Sequence, residues 1–300
     1  MRKALLIFIG SIICVILIIV VYEISTTPNM DFIYNYNGKA YIQNSRSLFK
    51  KEIKLDGYDN ISNVILSENG WFCSAKCNNK KCFLFVTKDN KVSRIFEDEF
   101  YYSEISNAMA ANGDYQMTYT YKKSSDDNLK TALLTVDFSN QKLIYNKYPN
   151  KFSSYSFLSD GQSLWGSNGS KILKYDNGEY FGITDGNSVI GIQGNFLIFE
   201  KDNNIYKLNL TTKEVTDYEY KFDPYNYRTV DYESRLIFTN KYIVGCKIGY
   251  FELSGGNSLI SHISITDLNS GKNYIVFGSI GKISENLQII TNRNEYKAFK

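Results

Sequence analysis

The sequence predicts an all-β domain, a β-propeller of about seven four-stranded blades, behind one N-terminal transmembrane helix. Three observations predict it. An uncharged apolar run, Ala4 to Val21, follows Met1-Arg2-Lys3. Asn-Gly, Asp-Gly and related pairs recur between apolar strands at blade-like intervals. Helical periodicity is absent beyond the first run.

The apolar run comes first in the chain. At 1.5 Å per residue it spans about 27 Å, the thickness of a bilayer's hydrocarbon core. It is longer than the apolar region of a cleaved signal, and Val21-Tyr22-Glu23-Ile24 offers no small residues for a cut. Cys14 lies behind Ile12-Ile13, without the small residue a lipid-modified cysteine needs before it. A retained signal anchor is therefore expected over a cleaved signal or a lipoprotein signal. Arg2 and Lys3 precede the run and no basic cluster immediately follows it, which keeps the N-terminus cytoplasmic and exports the rest. The expected organisation is a stub at 1–3, a span at 4–22, a linker at 23–30 and a propeller at 31–300. The location is a cell membrane, crossed once, with the bulk extracytoplasmic.

Composition bounds the exported part. The formal charge of +3 is too small to argue for nucleic acid, and export argues against it separately. With 3 prolines there is no long Pro-rich linker. The 25 tyrosines and 19 phenylalanines lie in segments that alternate with polar residues, which favours strands.

The repeat unit is strand, tight turn, strand. Asn37-Gly38, Asn69-Gly70, Asn112-Gly113, Asp160-Gly161 and Gly194-Asn195 centre five hairpins. Asn240-Lys241 and Glu285-Asn286 centre two weaker ones. Such pairs supply the positive φ of turns that match strand twist. A second strand pair follows each centre, as in Ile205–Leu210, the Thr211–Glu214 turn and Val215–Tyr218. Seven centres give units at 31–57, 60–97, 104–147, 155–184, 188–218, 232–277 and 280–300. The last is short. If it shares a blade with the first, the propeller has six blades; a β-sandwich or β-solenoid is the other architecture open to such strands.

Phe157-Leu158-Ser159-Asp160-Gly161-Gln162-Ser163-Leu164-Trp165 resembles the Ser-Pro-Asp-Gly turn of TolB-like propeller repeats. Leu66-Ser67-Glu68-Asn69-Gly70 is a fainter form of it. The proline that usually precedes Asp-Gly in that family is missing. The resemblance implies a fold and no activity, since propellers host many functions.

Residues able to do chemistry are sparse. His262, the single histidine, sits in the alternating strand Ser261–Ile265 and is expected to be a sheet-face residue. There is no Gly-x-Ser-x-Gly elbow, His-Glu-x-x-His, P-loop or dinucleotide fingerprint. Cys73 and Cys82 flank a short connection between adjacent strands and are the disulfide candidates, with free thiols as the alternative. Cys73, Cys77 and Cys82 do not have zinc-site spacing, so no metal is expected, and no cofactor either. Asp126-Asp127-Asn128, Asp176-Asn177-Gly178 and Asp202-Asn203-Asn204 lack the ordered ligand spacing of a calcium loop and read as turns.

Two aromatic and acidic segments join expected blades: Glu97–Glu104 and Tyr218–Arg228. Tyr101, Tyr102, Tyr225, Tyr227 and Arg228 are the candidate binding residues, expected together on one rim. The functional expectation is a binding or scaffold module, without catalysis, for an envelope protein or a wall polymer. The alternative is a lyase or glycosidase with carboxylates and tyrosines in the channel.

Overall fold

In the computed structural model, the described residues are 2–67, 70–77, 80–89, 91–98, 102–111, 114–122, 124–126, 128, 130–137, 140–147, 157–160, 163–176, 178–219, 236–253, 256–280 and 283–290. They form one long helix and then strands, apart from a single 3-10 turn at Phe277–Ser279.

The helix runs Arg2–Thr26, past the expected end at residue 22. Its stretch Phe8–Thr26 is long and apolar enough to cross a bilayer or to act as an export signal, and none of it is buried against the domain. Residues 23–26 are helical, and 27–30 are hydrogen-bonded to the domain. Ser45 Oγ donates to the Pro28 carbonyl at 2.5 Å and accepts from Met30 N at 2.9 Å. Arg46 Nε donates to the Thr27 carbonyl at 2.7 Å.

The strands form six antiparallel four-stranded sheets among the described residues. Sheet one is Ile283–Ile290, Asp31–Tyr36, Lys39–Asn44 and Lys51–Glu52. Sheet two is Asp59–Ser67, Gly70–Cys77, Lys80–Thr87 and Val92–Asp98. Sheet three is Tyr102–Ala111, Asp114–Lys122, Lys130–Asp137 and Lys142–Lys147. Sheet four is Phe157–Ser159, Leu164–Ser167, Lys171–Asp176 and Glu179–Asp185. Sheet five is Ser188–Gln193, Phe196–Lys201, Asn204–Asn209 and Val215–Asp217. Sheet six is Ile237–Phe238, Tyr242–Leu253, Gly256–Asp267 and Asn273–Ile275. Successive sheets touch in chain order, and Tyr242–Leu253 of sheet six touches Ile283–Ile290 of sheet one, a propeller-like arrangement.

The seven expected units become six sheets for a local reason. Glu285-Asn286 is not a hairpin centre; it lies inside Ile283–Ile290, which pairs with Asp31–Tyr36. The register jumps from Ile33↔Gln288 to Asn35↔Ser284, so Glu285-Asn286 falls in a β-bulge. Bulges tolerate the same residues as turns, and the sequence signal is the same. Asn37-Gly38 behaves as expected, with φ of 49° and 73°, the left-handed pair of a type I′ turn. It joins the second and third strands of its sheet, whereas Gly194-Asn195 joins the first and second of sheet five.

Strand alternation divides the core between neighbouring sheets. In Asp31–Tyr36, Ile33 packs with Val64, Leu66 and Trp71 of sheet two. Phe32 and Tyr34 pack with Val244, Ile263 and Ile265 of sheet six. Likewise Val189 and Phe199 of sheet five meet Trp165 and Ile172 of sheet four, while Ile190 and Ile198 meet Phe238 and Ile243 of sheet six. Inner strands such as Asp31–Tyr36 and Phe196–Lys201 thus have two buried faces, which explains their near-continuous apolar content.

Candidate functional site

The candidate binding residues from the sequence are outside what can be described. Tyr101, Tyr225, Tyr227 and Arg228 lie outside the described residues. Tyr102 opens the first strand of sheet three, its backbone opposite Lys122, and its side chain is not among those described.

The disulfide candidates Cys73 and Cys82 lie on neighbouring strands of sheet two. Cys73 stands opposite Leu84 and Cys82 opposite Ala75, so the pair is offset by two residues across the strands. Both are buried free thiols. Burial pushes the Cys73 thiol far above its ordinary value, with the neighbouring Cys82 adding to the effect. Cys246 is likewise free and buried, its thiol pushed up to about 12 by desolvation. These behave as small core residues. His262 stands in a strand opposite Lys247, where burial and then the Lys247 charge hold its imidazole below the ordinary value. Among the described residues, no three His, Cys, Asp or Glu side chains gather as a metal-binding set.

The structure instead brings together a groove between sheets five and six. Its volume is about 590 Å³, and it is lined by Gln193, Gly194, Asn195, Phe196, Lys207, Tyr218, Glu219, Asn240 and Leu268. Five chain segments supply them. The turn at 193–196 joins the first two strands of sheet five. Lys207 projects from the third strand, and Tyr218 and Glu219 follow the fourth. Asn240 and Leu268 come from turns of sheet six.

Hydrogen bonds fix the framework. Gln193 Nε2 donates to the Thr239 carbonyl at 3.1 Å, tying the two sheets together. Tyr218 Oη donates to Gln193 Oε1 at 3.3 Å. The Tyr218 ring stands edge-on to Phe238, 6.2 Å between centroids, so one end is seated in the core and the other reaches the groove. Asn195 Nδ2 bonds Asn209 Oδ1 at 3.1 Å and Thr211 Oγ1 at 3.0 Å. Lys207 Nζ lies 5.6 Å from the centre of the Phe196 ring and 3.9 Å from Glu219 Oε1. The Glu219 side chain is 92% exposed, so that ion pair is screened and leaves the ammonium available to a ligand.

The groove offers two aromatic rings, three primary amides and one cation. Amides both donate and accept, as hydroxyl-rich or peptide ligands require. Glu219 is the one carboxylate among the described residues lining it, so the paired carboxylates of glycoside hydrolysis are not assembled there. Local sequence could not reveal this site. Gln193, Lys207, Asn240 and Leu268 each look like ordinary strand or turn residues, and only the sheet order makes them neighbours.

No family model matches the chain, and no curated protein matches it. Solved structures do. An acylaminoacyl peptidase from Pyrococcus horikoshii is similar at 11% identity and a TM-score of 0.47, over 84% of this chain and 51% of that one. The chain thus spans about half the length of that peptidase. Apo AztD from Citrobacter koseri is similar at 11% identity and a TM-score of 0.39, over 87% of this chain and 97% of that one. A putative TolB from Agrobacterium tumefaciens is similar at 9% identity and a TM-score of 0.38, over 88% and 98%. A TolB-like protein is thus among the similar structures, as the Phe157–Trp165 turn suggests. At these identities no activity, substrate or partner carries over.

Proposed function

We propose that the chain is a six-bladed β-propeller, closed by Ile283–Ile290, that hangs on a retained membrane anchor and binds envelope components without catalysis. The N-terminus is cytoplasmic and the propeller extracytoplasmic. Arg2 and Lys3 before the helix, and the length of the apolar run, support this orientation. The strand at Ile283–Ile290 supports closure, because a late strand that completes the first sheet joins the two ends of the sheet series.

The observation that carries the binding function is the groove between sheets five and six. Phe196 and Tyr218 offer flat faces, Gln193, Asn195 and Asn240 offer amides, and Lys207 offers a positive charge. That set fits a segment of an anionic wall polymer better than an apolar small molecule. The same proposal keeps Tyr101, Tyr102, Tyr225, Tyr227 and Arg228 as contacts to a protein or glycan partner.

The test is a titration of soluble anionic wall-polymer fragments into the full-length protein in detergent. Binding weakened about tenfold by Lys207→Ala or Phe196→Ala, at unchanged melting temperature, supports the reading. Equal binding by the variants, or bond cleavage in the fragments, overturns it.

A further inference from the structure

The junction between helix and domain is built, not loose. Beyond Ser45 and Arg46, Asn44 Nδ2 donates to Asn29 Oδ1 at 2.8 Å and to Asp31 Oδ1 at 2.7 Å. The Arg46 guanidinium caps a carbonyl at the helix C-terminus, where a cation is favoured. Lys272 Nζ lies 6.0 Å from the centre of the Tyr22 ring. Tyr22 ends the apolar run, at the depth where a spanning helix leaves hydrocarbon for headgroups. The turn of sheet one (45–49) and Lys272 of sheet six therefore both lie near the end of the helix.

The turn of sheet one carries an apolar tip. Leu48 is 51% exposed and Phe49 is 85% exposed. The tip is held in shape, since Ser47 Oγ accepts from Phe49 N at 3.0 Å and Gln43 Nε2 donates to the Ser47 carbonyl at 2.8 Å. Lys51 pairs with Ile42, which places Phe49 at the Asp31 end of the sheet, the end where the helix enters. An exposed aromatic next to an exposed leucine is costly in water and favourable in the interfacial layer of a bilayer. Arg46 and Lys272, both close to the helix exit, match the phosphates of anionic lipid headgroups.

We infer that this face rests on the bilayer that holds the helix, with Leu48-Phe49 inserted into the interfacial layer and Arg46 and Lys272 facing lipid phosphates. The inference rests on the anchor reading above. The occupant is the bilayer and not a protein partner, because the tip is stitched within a few residues of the helix end. The propeller then has one fixed orientation to the membrane instead of tumbling on a tether.

The test uses the full chain in nanodiscs of phosphatidylcholine and phosphatidylglycerol, in a Cys14→Ser, Cys77→Ser background. A fluorophore is placed on Phe49→Cys, on Ile16→Cys in the helix, or on Ser170→Cys in the turn joining the second and third strands of sheet four. Nitroxide lipids are the quencher. Expected is strong quenching at 16 and quenching at 49 about twofold or more above that at 170, with emission at 49 shifted to the blue. Quenching at 16 with 49 equal to 170 overturns the inference and leaves the anchor standing. A blue shift at 49 without lipid quenching assigns the tip to protein contact and also overturns it. Absence of quenching at 16 overturns the anchor reading itself.

Discussion

Gly191 and Phe238 occupy one place. A Cβ built on Gly191 would lie 2.2 Å from Phe238 Cε2 and 2.3 Å from its Cδ2. The Phe238 ring is buried between sheets five and six, against Ile190, Ile198 and Ile243. It can lie flat on the neighbouring strand because residue 191 has no side chain. The strand bulges between Val189 and Gly191, which aims the backbone at the ring. This contact sets how closely the walls of the groove approach.

Gly191→Ala should therefore destabilise the domain by about 1–3 kcal/mol, as overpacking does. Thermal unfolding of the full chain in detergent reads it. Phe238→Leu in the Gly191→Ala background should recover part of the loss, since the clash is with the ring. Equal losses in the single and double variants would place the cause elsewhere.

Asp160 gives a second prediction. Its Oδ2 accepts from Trp165 Nε1 at 2.7 Å, and its Oδ1 accepts from Ser163 N at 2.7 Å. Trp165 is fully buried. The aspartate of the TolB-like turn thus closes the turn and satisfies an indole in the core. Asp160→Ala leaves that indole N–H without its acceptor and should lower stability by about 1–3 kcal/mol. Intrinsic fluorescence during urea unfolding measures the change in midpoint. A midpoint like that of the parent would show that water replaces the carboxylate at no cost.

His262 predicts a pH dependence. Burial, and then the Lys247 ammonium, hold its imidazole below the ordinary value of 6.5, so the unfolded chain binds the proton more readily than the folded one. Folding therefore favours its neutral form. Stability should be full above the ordinary imidazole range, fall as pH drops through it, and level off below the lowered folded value. His262→Gln should remove that part of the decline. The check is melting temperature against pH for both proteins; parallel profiles would exclude the histidine as the cause.

The fold was legible where local chemistry has one structural meaning. Asn37-Gly38 forms the left-handed turn its composition demands. Legibility failed where one signal has two meanings. Glu285-Asn286 serves a bulge as well as a turn, and only the pairing with Asp31–Tyr36 decides between them. The two-residue offset of Cys73 and Cys82 is likewise set by the strand pairing and not written in either strand. The groove was invisible for a stronger reason. Asn195 and Lys207 lie a few strands apart in sequence, but Asn240 and Leu268 arrive from the next sheet, and no local pattern links them.

The central claim is that the groove between sheets five and six binds an envelope component outside the membrane. Photo-crosslinking in intact cells tests it most directly, with benzoylphenylalanine in place of Phe196 in the full-length chain. The account predicts an adduct with a wall polymer or an extracytoplasmic protein, reduced about tenfold when Lys207→Ala is added. Adducts confined to cytoplasmic components, or an adduct unchanged by Lys207→Ala, would contradict it.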